Sequence, residues 1–294
     1  MRIRMAENFR AAFYAPFYGA QALGFYAREG VEVELLTSSA PGGGPAALDD
    51  SSADLTWGGP LRVMKAHDED AGSSLVCFCE VVGRDPFFLV GTGDAATFRL
   101  EDLARLRFAT VAEVPTPWLC LQHDLRECGR DPEKLARTTG RTMGENLAAL
   151  REGRLDVIQV FEPYASLAVR DGARVFYAAS ARGPTVYTTF LATRAGIERN
   201  RAAFAALTRA MGRMQQWLAQ NGGHGLAAAT AAFYPDVEPE ILKASLQRYY
   251  DGGLWSASTA ISRQGFARLG ESLLSGGYIS RAPVYSACVD ETLG

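Results

Sequence analysis

Lysine is nearly missing from this 294-residue chain: Lys65, Lys134 and Lys243 are the only three among 30 basic residues, so arginine supplies almost all the positive charge. Chemistry through a Schiff-base lysine therefore has few candidates. The three histidines, His67, His123 and His224, lie far apart and match neither a metal spacing nor a triad. No G-x-S-x-G, H-E-x-x-H or kinase set is present, which leaves hydrolase and metalloenzyme readings without a basis. The five cysteines, Cys77, Cys79, Cys120, Cys128 and Cys288, are odd in number and lack zinc-site spacing, so they read as buried thiols. Cys77 and Cys79 are expected on one face of a strand, a geometry that strains a disulfide but permits a reactive pair. The net charge is only −3 and the arginines are scattered, so no footprint for nucleic acid exists. No apolar run approaches a membrane span. The start of the chain imitates a signal peptide, yet Glu7, Asn8, Arg10, Pro16 and Gly19 interrupt it. The chain as it stands reads as soluble and cytoplasmic; a periplasmic location would require a leader already removed.

What is present is a repeat. Ala47, Leu48 and Asp54 recur at the same separations as Ala149, Leu150 and Asp156, each set running from an apolar helix tail into a strand. With 48% hydrophobic residues the chain can fill two modest cores. Two similar α/β lobes are expected, with a crevice between them suited to a small molecule.

Along the chain, residues 3–5 open a strand and residues 8–18 form an aromatic loop into a helix that Gly30 stops. Residues 31–35 alternate as a half-covered strand, and residues 37–45 form a glycine loop. Residues 75–82 and 87–90 read as strands separated by a turn at residues 83–86, with a lobe crossing just beyond. In the second lobe Thr116 is expected as an N-cap with Pro117 at the first helical position and Gly129 closing the helix. Residues 156–161 form a buried strand leading into Glu162-Pro-Tyr164, residues 185–193 return the chain to the first lobe, and four helices follow from Glu198.

Ligands in open α/β sheets bind beyond the carboxyl ends of strands, where loops feed helix N-termini. The candidates there are Asn8, Phe13, Tyr14 and Phe17 in the aromatic loop and helix, Ser38 and Ser39 in the glycine loop, and Trp57, Gly58, Gly59 and Arg62 after the first repeat copy. Arg84, Pro115, Thr116, Trp118, Glu162 and Tyr187 complete the set. Arg62 and Arg84 could grip an anion bidentately, and the aromatic residues could flank an organic ring. No residue is assigned a catalytic or metal-binding role under the leading reading.

Residues 15–33, Ala47-Leu48 with Ala53-Asp-Leu55, residues 103–110 and Phe161-Glu-Pro-Tyr164 together resemble the sulfonate/nitrate-binding and thiamine-pyrimidine-synthase group of solute-binding proteins. The resemblance extends to about residue 195. It implies a type II periplasmic-binding-protein fold, an α/β architecture of two lobes joined by two crossings that close on a small aromatic or anionic ligand, with an ABC permease as partner. The expected lobes are residues 1–92 with 190–294, and residues 93–189. One branch of that group is enzymatic and binds pyridoxal phosphate through a lysine after the Asp-apolar strand, with a histidine four residues on. Here that stretch is Asp54-Leu-Thr-Trp-Gly58 followed by Arg62, and both signature residues are absent, with Lys65 the nearest substitute. Cys77-Phe-Cys79 lies too early to match the branch's late cysteine motif. Binding without a cofactor is the expectation; a pyrimidine-synthase-like or cysteine-using desulfinase-like enzyme is the alternative.

Overall fold

The computed structural model describes residues 1–37 and 43–293. Its elements in chain order begin with β1 (Arg2–Ala6), α1 (Ala15–Ala22), α2 (Phe25–Arg28), β2 (Glu32–Leu36), α3 (Gly43–Asp49), β3 (Leu55–Gly58), α4 (Leu61–Glu69) and β4 (Leu75–Val82). They continue with β5 (Phe88–Gly91), β6 (Phe108–Ala109), α5 (Thr116–Glu127), β7 (Arg137–Thr138), α6 (Met143–Arg151), β8 (Val157–Val160), α7 (Tyr164–Arg170) and β9 (Arg174–Ala178). β10 (Thr188–Thr193) then leads into α8 (Arg194–Thr230), α9 (Pro239–Asp251), α10 (Arg263–Ser275) and α11 (Tyr285–Cys288).

The strands form two five-stranded sheets of the same design, ordered β2-β1-β3-β10-β4 and β7-β6-β8-β5-β9. β1 runs parallel to β2 and β3, and β6 runs parallel to β7 and β8. Parallel neighbours need a crossover connection, which is why helical segments separate them in sequence. In each sheet the fourth position is taken by a strand arriving from the other half of the chain. β10 fills it in the first sheet and β5 in the second, each antiparallel to both neighbours.

This exchange corrects the expected lobe boundary. Residues 83–86 read as a turn between two strands ahead of the crossing, but β5 pairs with β8 and β9 and not with β4. The turn-like residues are therefore the first crossing, several residues before the expected boundary at 92. The second crossing runs through residues 179–187. The two lie side by side: the N–H groups of Thr185 and Tyr187 donate to the carbonyls of Gly83 and Val82, both at 2.9 Å.

Cys77 and Cys79 do not share a face. Opposite β10, Phe190 pairs with Phe78 and Thr189 with Glu80, which leaves Cys79 as an extra residue with φ of 56°. Such a bulge re-aims the strand. Cys77 packs with Cys288 and Leu191, whereas Cys79 joins the main core beside Phe78. A second correction concerns α5: Thr116 is its first helical residue, Pro115 takes the cap position, and no side chain caps the helix. Gly129, with φ of 72°, closes it as expected.

The tail holds both lobes. α8 packs on α1 and breaks at Gly222, where φ is 65°. At the neighbouring Gly223 a Cβ would run into the backbone of Leu246 and Gln247, so only glycine lets α9 approach. α9 reaches the second lobe through Ser245 and Arg248, which bind Glu162 at 3.2 and 2.7 Å. α10 reaches it through Ser275, hydrogen-bonded to Arg126 on α5 at 3.2 Å. Among the described residues no helix is long and apolar enough to cross a membrane.

Candidate functional site

A cavity of about 70 Å³ lies where the two crossings meet the lobes. Asn8, Phe13 and Tyr14 reach it from the loop after β1, Gly59 and Arg62 from the start of α4, Pro115 and Thr116 from the start of α5, and Tyr187 from the second crossing. These residues were all expected from the sequence. Phe9, Leu61, Phe87 and Val114 also line it and were missed, although each neighbours a named residue or crossing. Tyr278 lines it as well, and no local signal marked that residue in the helical tail.

The other candidates have structural roles. Trp57 is about 1% exposed and stacks on Phe17, with ring centroids 4.7 Å apart and planes 6° apart, so both are core. Gly58 ends β3 without lining the cavity; a Cβ there would press on Leu191 at 3.3 Å. Arg84 donates to the Ser180 carbonyl at 3.1 Å and joins the two crossings. Trp118 lies under the Arg137 guanidinium, 4.1 Å from its ring centre. Glu162 is fully buried and accepts from the Ser166 N–H at 2.8 Å as well as from α9, so it anchors α7 and does not line the cavity. Ser38 and Ser39, with most of the glycine loop, fall outside the described residues.

The polar wall of the cavity favours negative charge. Among the described residues the Arg62 guanidinium has no ion pair and no hydrogen bond. The starts of α4 and α5 open onto the same space from opposite lobes, and neither has a side-chain cap, so their positive ends are uncompensated. Tyr14 is fully buried, and desolvation pushes its pKa up to about 12, which keeps it a neutral phenol; its oxygen accepts from the Asn8 amide at 3.1 Å. Phe13, Phe87 and Tyr187 close the remaining sides, with Phe13 meeting Tyr187 edge-on at 6.1 Å. At roughly 10–15 Å³ per water, the volume admits an acid group and a short stub.

Behind this wall the crossings are pinned by charge. Arg182, on the second crossing, is 2.6 Å from Asp85 on the first and also binds Asp124 on α5. Tyr177 donates to the same Asp124 at 2.9 Å. Desolvation holds the Asp85 pKa above the usual carboxylate range in spite of the arginine. The helix whose first turn faces the cavity is thereby tied to the segments on which the lobes would turn.

Groups the enzyme alternative needs are elsewhere. Lys65 lies outside the cavity lining, with its ammonium 3.4 Å from Glu69 and 3.8 Å from Asp68. Among the described residues no lysine lines the cavity to hold pyridoxal phosphate. Cys77, Cys79, Cys120 and Cys288 are buried, Cys128 is exposed, and none lines the cavity. Burial pushes the Cys120 thiol up to about 12 and the Cys288 thiol to about 11, far from a reactive thiolate. Among the described residues no cluster of three or more histidine, cysteine or carboxylate side chains could hold a metal ion.

Comparison with known proteins agrees with the two-lobed fold. YtlA of Bacillus subtilis (strain 168), named only as a candidate binding protein, is 25% identical over 251 residues, covering 84% of this chain and 75% of that one. The periplasmic aliphatic sulphonate binding protein SsuA from Escherichia coli superposes with a TM-score of 0.77 at 18% identity, over 96% of this chain and 94% of that one. The desulfurization enzyme DSZB superposes at 0.68 with 15% identity, over 99% and 97%. The two-lobed fold is therefore one on which both a binding protein and an enzyme have been built. The NMT1/THI5-like family model matches residues 12–222, which take in both crossings and the starts of α4 and α5. The chain belongs to the NMT1/THI5-like family.

Proposed function

We propose that this protein is a solute-binding protein whose lobes close on a small organic anion at Arg62. One observation carries the reading: an arginine with no ion pair or hydrogen bond among the described residues stands between two helix starts without side-chain caps, contributed by different lobes. An anion there would touch Arg62 and α4 from the first lobe and α5 from the second. Separating the lobes would remove half of those contacts, so the ligand favours the closed state by its differential contacts. The aromatic wall supplies apolar area around a few placed polar groups, as small-molecule sites do. A membrane permease is the partner that this reading implies.

The enzyme reading has fold likeness in its favour, but the cavity presents neither lysine nor cysteine. Isothermal titration with acetate and with methanesulfonate tests the proposal. Saturable binding that Arg62→Ala removes is expected. Turnover of an added sulfinate without any Arg62 dependence would decide for the enzyme.

A further inference from the structure

A second and larger hollow lies between the lobes on the far side of Phe9. Its volume is about 630 Å³, and its walls include Phe161, Tyr164 and Leu167 of the second lobe and Phe233 and Tyr234 of the tail. Phe9 belongs to the lining of both hollows. Its ring is partly buried, stands in a segment outside helices and strands, and packs edge-on against Tyr14 at 5.3 Å and tilted against Phe161 at 6.2 Å. A side chain held by edge contacts from a loop can swing aside with little change in backbone.

Of the charged groups lining the groove, Glu113 and Arg10 are engaged by the protein itself, while Asp236 lies exposed at its edge. Glu113 accepts from the N–H groups of Met143 and Ala112 at 2.8 and 3.1 Å, and Arg10 binds Glu7 at 3.0 Å and the Phe233 carbonyl at 3.0 Å. What faces an occupant is mainly ring and aliphatic surface. The anion cavity is too small for more than a head group, whereas this groove has the volume of a typical ligand pocket.

Resting on the reading that Arg62 holds an anion, we propose that the ligand is an arylalkyl acid. Its acid group sits at Arg62, and its aromatic tail passes a displaced Phe9 into the groove. Aromatic rings on several walls favour a flat ring over a saturated one of similar size, because edge-on and offset contacts add to area burial.

Titration calorimetry with two matched series, acetate to 4-phenylbutanoate and methanesulfonate to phenylalkylsulfonates, tests this. Affinity should rise about three- to fourfold per added methylene until the groove fills, and a phenyl tail should outbind cyclohexyl at least twofold. Leu167→Trp, which pushes an indole into the groove and narrows it, should weaken the length dependence. If the short acids bind through Arg62 and longer tails add nothing, the groove is not the tail site and the anion reading stands. If the length dependence survives Leu167→Trp unchanged, the tail lies elsewhere and the inference fails. If no acid of any length binds, the anion reading falls and the inference with it.

Discussion

The carboxylate of Asp54 binds Arg4 twice, accepting from its backbone N–H at 2.8 Å and from its guanidinium at 3.2 Å. Asp156 binds Arg107 in the same way, at 2.8 Å from the N–H and 2.5 and 3.0 Å from the guanidinium. The return bonds match as well, from the Asp54 N–H to the Arg4 carbonyl at 2.8 Å and from the Asp156 N–H to the Arg107 carbonyl at 2.9 Å. Each aspartate thus sets the register between the two parallel strands at the centre of its lobe, β1 with β3 and β6 with β8. The repeated residues are a structural device placed twice, and the ligand loops lie at the opposite, carboxyl ends of those strands.

Asp54→Asn and Asp156→Asn should each lower stability by roughly 1 to 2 kcal/mol, toward the low end for hydrogen bonds to charged groups because both arginine side chains are exposed. The two costs should add, because the sites share no partner. Its bonds to Arg107 hold the Asp156 carboxyl below its ordinary value. That contribution is present above the unfolded value near pH 3.9 and disappears as pH falls through the lower folded value. Urea melts at pH 7 should show the loss for Asp156→Asn, and melts near pH 3 should show the variant closing on the parent.

Arg62→Ala should abolish binding of small organic anions, a drop of at least tenfold, while leaving stability within about 0.5 kcal/mol. The guanidinium has no ion pair or hydrogen bond among the described residues, so its removal breaks none in the folded protein. Calorimetry and thermal melts on the same samples separate the two effects. A large fall in melting temperature would show that Arg62 is structural.

Trp57→Ala should behave in the opposite way. It removes the ring that stacks on Phe17 and leaves a buried void, at a cost of about 3 to 5 kcal/mol. Titration well below the melting temperature should find anion affinity within about threefold of the parent. Loss of affinity in a fully folded sample would return Trp57 to the site.

Arg182→Met should cost about 3 to 5 kcal/mol, because it strands the buried Asp85 and Asp124 without their cation. Asp85 already titrates high through desolvation, and loss of the arginine raises it further. A raised carboxylate favours the folded state below its unfolded value and loses that advantage as pH rises through the folded value. The deficit of the variant should therefore be smaller at pH 5 than at pH 8, as read by chemical denaturation at both values.

Much of the site was legible because glycine, proline and aromatic residues after apolar runs mark strand ends. Asn8, Tyr14, Gly59, Arg62, Pro115 and Thr116 all converge as that rule expects. The errors share a cause. Trp57, Phe17, Trp118 and Glu162 stand in the same loops or the elements beside them, but one residue's shift turns a side chain from cavity to core, and sequence position does not record that direction. Tyr278 arrives from about ninety residues beyond Tyr187, the nearest lining residue in sequence, and so from beyond any local pattern.

The sequence by itself determined the two-lobed α/β plan, since the Ala-Leu and Asp-apolar repeat and the apolar periods are local properties that write strands and helices directly. Only the tertiary structure decided which strand joins which sheet. The apolar run of β5 is compatible with either lobe, and pairing with β8 and β9 settles it by hydrogen bonds to residues about seventy to ninety positions away. The same long-range packing left Arg62 without an ion pair or hydrogen bond among the described residues, engaged Arg182 with Asp85 and Asp124, and put Phe9 on the wall between a small cavity and a large groove. Charge and shape at a site are set by what other segments bring there, and a linear pattern holds no record of that.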